Sequence, residues 1–192
     1  NSKLNEIIRV IEDESFESFS GDIENIKKTF DISLSDTKEQ MLISHTFVGR
    51  RWLGEMLEQW RLNDASSRVF ILYGGPGIGK STFAAHQVHY NPHVMCGFFC
   101  EWDKDGQKIT RNVIKSISFK LATRLPDYRK ILLAKIIARG SDFLSGMSDS
   151  DLFDQLLTQP LSELIDGGRE RCLLVIDGLD EAGDDDNNPL AD

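Results

Sequence analysis

The stretch Gly74-Gly-Pro-Gly-Ile-Gly-Lys-Ser81 decides the fold, because it matches the pattern G-x-x-x-x-G-K-[ST] in full. It lies between the apolar run Arg68–Tyr73 and a segment that we predict to be a helix through about Tyr90. Glycines permit a loop to turn its backbone N–H groups inward, and the helix that follows adds its own N–H groups and the positive end of its dipole. The stretch therefore predicts a loop that binds the phosphates of a nucleotide.

The residue types in this loop have distinct expected roles toward a bound nucleotide. Lys80 would reach the β- and γ-phosphates and belongs to the predicted catalytic set, while Ser81 would place its hydroxyl on Mg²⁺. Thr82 would contribute its backbone N–H to the α-phosphate. The predicted nucleotide-binding residues of the loop and of the helix start are Gly74, Gly75, Pro76, Gly77, Ile78, Gly79, Lys80, Ser81 and Thr82.

Segments of strand length alternate with segments of helical spacing along the main part of the chain. The predicted strands are Arg68–Tyr73, Met95–Glu101 and Cys172–Asp177. The predicted helices, besides the one that follows the loop, are Arg50–Trp60, Thr110–Leu125, Asp127–Arg139 and Ser150–Leu164. This alternation predicts a three-layer α/β core with a parallel sheet, in which the first apolar run is a strand buried on both faces.

The beginning of the chain forms a separate zone. Apolar residues at helical spacing predict a short helix over residues 4–11 and a second helix over 23–30, for which Ser20-Gly-Asp22 offers an N-cap. Residues 31–40 are polar and unpatterned, so we predict a connector there. The whole of 1–40 is therefore predicted to be a helical linker or the tail of an upstream domain.

Acidic residues lie at the carboxyl end of the third predicted strand. Asp177 is the last residue of that strand, and Asp180 and Glu181 follow just beyond it. A carboxylate at the end of an apolar strand is costly unless it has a partner, which in a phosphate-loop protein is Mg²⁺, usually through a water. We therefore predict that Asp177 and Ser81 bind the metal. Asp180 or Glu181 would orient or deprotonate the attacking water, or alternatively would cap the next helix.

The composition of this 192-residue chain is that of a globular protein and limits its partners. Acidic residues outnumber basic residues by 31 to 22, and the net charge of -9 argues against general binding to nucleic acid. No stretch approaches the ~20 apolar residues that cross a bilayer, and we predict no signal peptide. Three cysteines are too few for a disulfide framework. We therefore expect a cytoplasmic protein without a membrane span.

A series of histidines and cysteines resembles a set of metal ligands. Its members are His86, His89, His93, Cys96 and Cys100. No pair among them has the C-x-x-C spacing that is typical of zinc sites, and the two cysteines fall in or beside a predicted buried strand. We interpret all five as ordinary helix and core residues.

With the loop and the acidic strand end considered together, the chain resembles the NACHT branch of the signal-transducing (STAND) NTPases, and within it bacterial and fungal NOD-like receptor proteins. The resemblance covers roughly Phe47 to Ala182. Four stretches carry it, namely Phe47–Arg50, Tyr73–Ser81, Gly97–Cys100 and Leu173–Glu181. The stretch Arg111–Ala122 also resembles the helix after the second strand in bacterial and fungal members. The form Asp-Gly-Leu-Asp-Glu at residues 177–181 is the most specific of these matches to the branch.

The resemblance implies a P-loop core of the additional-strand (ASCE) type that serves as an ATP-driven switch. Members of this branch are closed with ADP, and after exchange for ATP they assemble into oligomers that activate effector domains. Bacterial relatives act in antiviral defence, and eukaryotic relatives act in innate immunity and programmed cell death. The implied cofactors are ATP or ADP with Mg²⁺, and the implied partners are further copies of the protein and fused or separate effector and sensor domains. The resemblance also implies that Val48 and Arg50 lie near the adenine and ribose.

The predicted NACHT-like nucleotide-binding domain, residues 41–192, lacks the later parts of the family pattern, so we expect its C-terminal part to be missing. The sensor arginine, the helical module and the winged-helix module of the family have no counterpart here. We therefore expect ATP binding with slow Mg²⁺-dependent hydrolysis. Two other functions stay open, namely a P-loop kinase of a small molecule or nucleotide and a nucleotide-binding scaffold that does not hydrolyse. The preference for ATP over GTP rests on the resemblance.

Overall fold

The computed structural model describes residues 18–32, 37–43, 49–100, 109–164 and 172–179. Its helices are α1 over 18–30, α2 (Thr37–Ile43), α3 (Arg51–Leu62), α4 (Lys80–Tyr90), α5 (Ile109–Arg124), α6 (Pro126–Arg139), α7 (Asp149–Phe153) and α8 (Gln159–Leu164). Its strands are β1 (Val94–Phe99) and β2 (Leu173–Asp177), which pair in parallel. Within these ranges the fold is α/β, mostly helical, with a small two-stranded sheet. None of the described helices is long and apolar enough to cross a membrane.

The chain divides into two compact units, of which the first is helical and contains the described residues 18–32 and 111–164. Its core consists of side chains that are almost completely buried, namely Ile26, Phe30, Leu121, Tyr128, Leu132, Leu152 and Leu156. Two basic side chains join α1 to this core. The Lys115 Nζ donates a hydrogen bond to the Phe30 carbonyl at 2.8 Å, and burial lowers the pKa of this amine. The Arg129 guanidinium lies 4.6 Å from the centre of the Phe19 ring.

A buried tyrosine joins three segments of the helical unit. The Tyr128 hydroxyl donates a hydrogen bond to the Leu156 carbonyl, which lies in a π-helical turn, Asp154–Thr158, between α7 and α8. A phenol has one proton, so Ser118 is the donor in the 2.8 Å hydrogen bond between its Oγ and the same hydroxyl. Both side chains are completely buried. The network therefore gives hydrogen-bond partners to polar groups that water does not reach.

The second unit contains the sheet, and its described residues are 37–43, 49–100, 109–110 and 172–179. The strands pair in the register Val94 with Leu173 and Phe99 with Asp177, with an irregularity after Val94. Helices α3 and α4 pack on the sheet through a cluster of buried side chains, namely Leu53, Leu57, Phe83, Val88, Val94 and Leu173. A Cβ atom on Gly97 of β1 would stand 2.4 Å from Cγ2 of Val88. Helix α4 therefore approaches the sheet closely because residue 97 has no side chain.

The apolar run that we predicted as the first strand is not paired in the sheet. The side chains of Val69, Ile71 and Tyr73 are exposed by 64%, 75% and 87%, whereas Phe70 and Leu72 pack against the core cluster. The prediction of a strand buried on both faces is therefore wrong for this segment. It buries alternate side chains on one face only, since no strand among the described residues lies in hydrogen-bond register with it.

The helices predicted from Arg50 onward are confirmed to within two residues at their described ends, although the last one contains the π-helical turn. The helix predicted over 23–30 is part of the longer α1. Two predictions in the first zone are wrong. Ser20-Gly-Asp22 lies inside α1 and does not cap it, and the connector 31–40 contains the start of α2. Helix α2 packs against α4, a tertiary contact that the local pattern does not reveal. The helix predicted over 4–11 lies outside the described residues.

Candidate nucleotide-binding site

The loop predicted to bind phosphates connects the extended segment 69–73 to Lys80, the first residue of α4. Gly77 and Gly79 have φ values of 73° and 87°, in the left-handed region that favours glycine. Gly79 is the N-cap residue of α4, no side chain caps the helix, and its first turn contains no acidic residue. Among the described residues, the start of α4 therefore has neither a capping side chain at its N-cap nor an acidic residue in its first turn. Such an N-terminus is suited to a phosphate.

The Lys80 side chain folds back over the loop. Its Nζ donates hydrogen bonds to the carbonyls of Gly74 at 2.8 Å and Gly75 at 3.2 Å. The ammonium group thus lies beside the loop backbone, at the opposite end of the loop from its own Cα. Ser81 and Thr82 follow in the first turn of α4, where both are half-buried. The structure therefore places the Lys80 ammonium beside Gly74 and Gly75, with Ser81 and Thr82 next to Lys80 in the first turn of α4.

Arg50 lies against the same loop. A Cβ atom built on Gly79 would stand 3.0 Å from Nη1 of Arg50 and 3.5 Å from Nη2, so the guanidinium packs on the Cα of this glycine. Arg50 is also the N-cap residue of α3 and has a left-handed backbone, with φ 56° and ψ 28°. The sequence pattern did not predict this contact, because it depends on the path of the chain before α3. Val48 lies outside the described residues.

Asp177 is the last residue of β2 and is 9% exposed. Its carbonyl accepts a hydrogen bond from the Cys100 N–H at 2.8 Å, which fixes the end of β2 beside the end of β1. Gly178, directly after it, has a φ of 75°, so the chain turns sharply where the strand ends. Helix α4, which carries Ser81, packs against β2. The predicted catalytic residues Asp180 and Glu181 lie outside the described residues.

The chemistry of the predicted metal ligands fits a magnesium ion. Ser81 supplies a hydroxyl oxygen and Asp177 a carboxylate oxygen, and Mg²⁺ prefers such hard donors. It usually keeps several waters and takes one or two protein oxygens together with phosphate oxygens, so two protein donors are enough. Among the residues that the structure describes, no group of three or more histidine, cysteine, aspartate or glutamate side chains is arranged to hold a metal.

A family model matches most of the chain. The family model described as Nephrocystin 3, N-terminal, matches residues 50–191, a range that includes the loop, both described strands and the acidic strand end. No curated protein and no solved structure matches the chain. Because the family model covers well over half of its length, the chain belongs to the Nephrocystin 3 N-terminal family.

Proposed function

We propose that this chain binds ATP and ADP with Mg²⁺ and hydrolyses ATP slowly, as the nucleotide-dependent switch of a NACHT-type STAND protein. The observation that carries the proposal is the position of the Lys80 ammonium beside the loop backbone, at the start of a helix whose N-cap is a glycine and whose first turn has no acidic residue. A cation and a helix N-terminus on one glycine-rich loop form a recurrent binding arrangement for nucleotide phosphates. The finer fold that belongs to this proposal is a three-layer P-loop core of the ASCE type.

In this proposal each residue of the site has one task. The loop N–H groups bind the phosphates, and Lys80 exchanges its two carbonyl acceptors for phosphate oxygens. Ser81 and Asp177 hold Mg²⁺, which when bound neutralises the charge that develops on the phosphates. Asp180 or Glu181 orients or deprotonates the attacking water.

The biological part of the proposal is a role in signalling. We infer that the ADP form is closed and that the ATP form self-associates and activates fused or separate effector and sensor domains, in defence or cell-death signalling in the cytoplasm. The resemblance of Leu173–Glu181 and of the loop to bacterial and fungal NOD-like receptor proteins supports this role.

The first experiment measures the nucleotide content of the purified chain. The protein is denatured, and the released nucleotide is identified and quantified by chromatography. Close to one ADP per chain would support the proposal and would identify the base. A guanine nucleotide would contradict the ATP assignment, and a chain that carries no nucleotide and binds neither added ADP nor ATP would contradict the proposal as a whole.

Three variants then separate binding from chemistry. Lys80→Ala should abolish or gravely weaken nucleotide binding, because it removes the cation at the loop. Asp180→Asn and Glu181→Gln should bind nucleotide normally, and at least one of them should slow the release of phosphate. Turnover that stays unchanged in both acidic variants would remove the catalytic assignment. A phosphorylated acceptor in an acceptor screen would instead indicate a kinase, and tight binding without any turnover would indicate a scaffold.

A further inference from the structure

The contact between Arg50 and Gly79 joins a second cation to the loop. Gly79 immediately precedes Lys80, and it allows the guanidinium to approach because it has no side chain. An alanine at position 79 would place its Cβ 3.0 Å from Nη1 of Arg50. Its backbone would also have to adopt a φ of 87°, which is uncommon for alanine. Residues 50 and 79 therefore fit one another, and the guanidinium lies one residue from the start of the helix that would bind phosphate.

The backbone at Arg50 has an uncommon conformation. A left-handed conformation is uncommon for a residue that is neither glycine nor asparagine or aspartate. Gly49, with a φ of 84°, and Arg50, with a φ of 56°, adopt it consecutively just before α3 begins. Strained backbone of this kind persists where surrounding structure demands it, and it is concentrated at binding sites. At Arg50 the uncommon backbone conformation and the contact with Gly79 occur in the same residue.

Other half-buried or buried arginines of the described residues donate hydrogen bonds to an anion or a carbonyl. Arg61 donates hydrogen bonds to both carboxylate oxygens of Glu58, and Arg111 donates to Asp149. Arg50 is only half-exposed, and its guanidinium lies against Gly79 of the loop. A guanidinium that lies against this loop can bind a phosphate, whose oxygens match its planar donors.

We propose that Arg50 contacts the phosphates of the bound nucleotide and shares their binding with Lys80. This inference rests on the proposed function and deepens it, because it assigns Arg50 to the phosphates, whereas the family resemblance implies a position near the adenine and ribose. It makes Arg50 a determinant of selectivity for nucleoside di- and triphosphates over nucleosides. Arg50 is also the N-cap residue of α3, so the residue that would select for phosphates lies at the start of this helix.

The test compares adenosine, a nucleoside without phosphates, with pyrophosphate, which has no nucleoside, and with ADP, which has both. Binding of ADP, pyrophosphate and adenosine is measured by calorimetry on the full chain, in the same magnesium buffer, for the wild type and for Arg50→Ala, Arg50→Lys and Arg51→Ala. Arg50→Ala should raise the Kd for ADP and pyrophosphate by about 10- to 100-fold, the range expected for hydrogen bonds to a charged group, and should leave adenosine unaffected. Arg50→Lys should lose less. Arg51→Ala, which removes the same charge from an exposed neighbour, should change nothing.

A further variant separates phosphate binding from a structural role. Arg50→Gly removes the guanidinium and relieves the left-handed backbone, so it should unfold at a higher temperature than Arg50→Ala while binding ADP equally weakly. ADP binding that recovers with the thermal stability would show that Arg50 only supports the loop and would overturn the inference. An unchanged Kd for pyrophosphate in Arg50→Ala, or an equal loss for adenosine, would overturn it as well. A wild-type chain that binds no nucleotide would refute the proposed function, and this inference with it.

Discussion

Gly97 on β1 lies so close to Val88 on α4 that a Cβ atom on the glycine would stand 2.4 Å from Cγ2 of the valine. Val88 is β-branched and 5% exposed, so its methyl group has little room to move. We expect Gly97→Ala to lower the free energy of unfolding by about 1–3 kcal/mol, the usual cost of overpacking a core. Urea denaturation of the full chain measures it.

Gly54 provides the matched control for this substitution. It lies within α3, and a Cβ atom there would meet nothing within 4 Å. Gly54→Ala should therefore raise the free energy of unfolding by about 0.5–1 kcal/mol, because alanine favours a helix over glycine. If both alanine variants change stability in the same direction, the close contact between Gly97 and Val88 is not the cause.

The segment before the loop offers a second prediction, based on the alternation of its side chains. The Phe70 ring lies 5.4 Å from that of Trp60 and packs on the core cluster, whereas Ile71 is 75% exposed. Phe70→Ala should cost about 1.5–3 kcal/mol of unfolding free energy, less than a fully buried phenylalanine, and Ile71→Ala should stay within about 0.5 kcal/mol. Urea denaturation of the two variants compares them directly. A larger loss at Ile71 would indicate the two-sided burial that the apolar run suggested.

The sequence predicts those parts of the fold that depend on local pattern. The loop at 74–81 and helices such as α3 follow from residue identity and apolar spacing, and the strand that ends at Asp177 does too. The run 69–73 has the composition of a buried strand, but burial on both faces requires neighbouring strands, and composition does not specify them. The contact of Arg50 with Gly79 could not be predicted because it depends on a left-handed backbone at a residue that rarely adopts it.

The hydrogen bonds of Tyr128 give a third prediction, on the helical unit. Its hydroxyl accepts a hydrogen bond from Ser118 and donates one to the Leu156 carbonyl, and both bonds are buried. Tyr128→Phe therefore leaves two buried polar groups without this partner. We expect a loss of about 1–3 kcal/mol in the free energy of unfolding. Tyr90→Phe, at a tyrosine that is 64% exposed, is the control and should change stability by less than about 0.5 kcal/mol. Equal effects in the two variants would mean that the buried network contributes nothing.

The last prediction concerns the metal and rests on the proposed function. Asp177 is the buried last residue of β2, and its hydrogen bond to Cys100 uses the main-chain carbonyl, which an amide side chain would leave intact. Asp177→Asn should therefore fold normally and weaken the binding of ADP in magnesium buffer by about 10- to 100-fold, as expected for a group that holds a metal through water. With a chelator in place of magnesium, the wild type and the variant should bind ADP equally well. Calorimetry measures ADP binding with magnesium and with the chelator. If Asp177→Asn weakens ADP binding by the same factor without magnesium, Asp177 acts on the nucleotide or the fold and not through a metal.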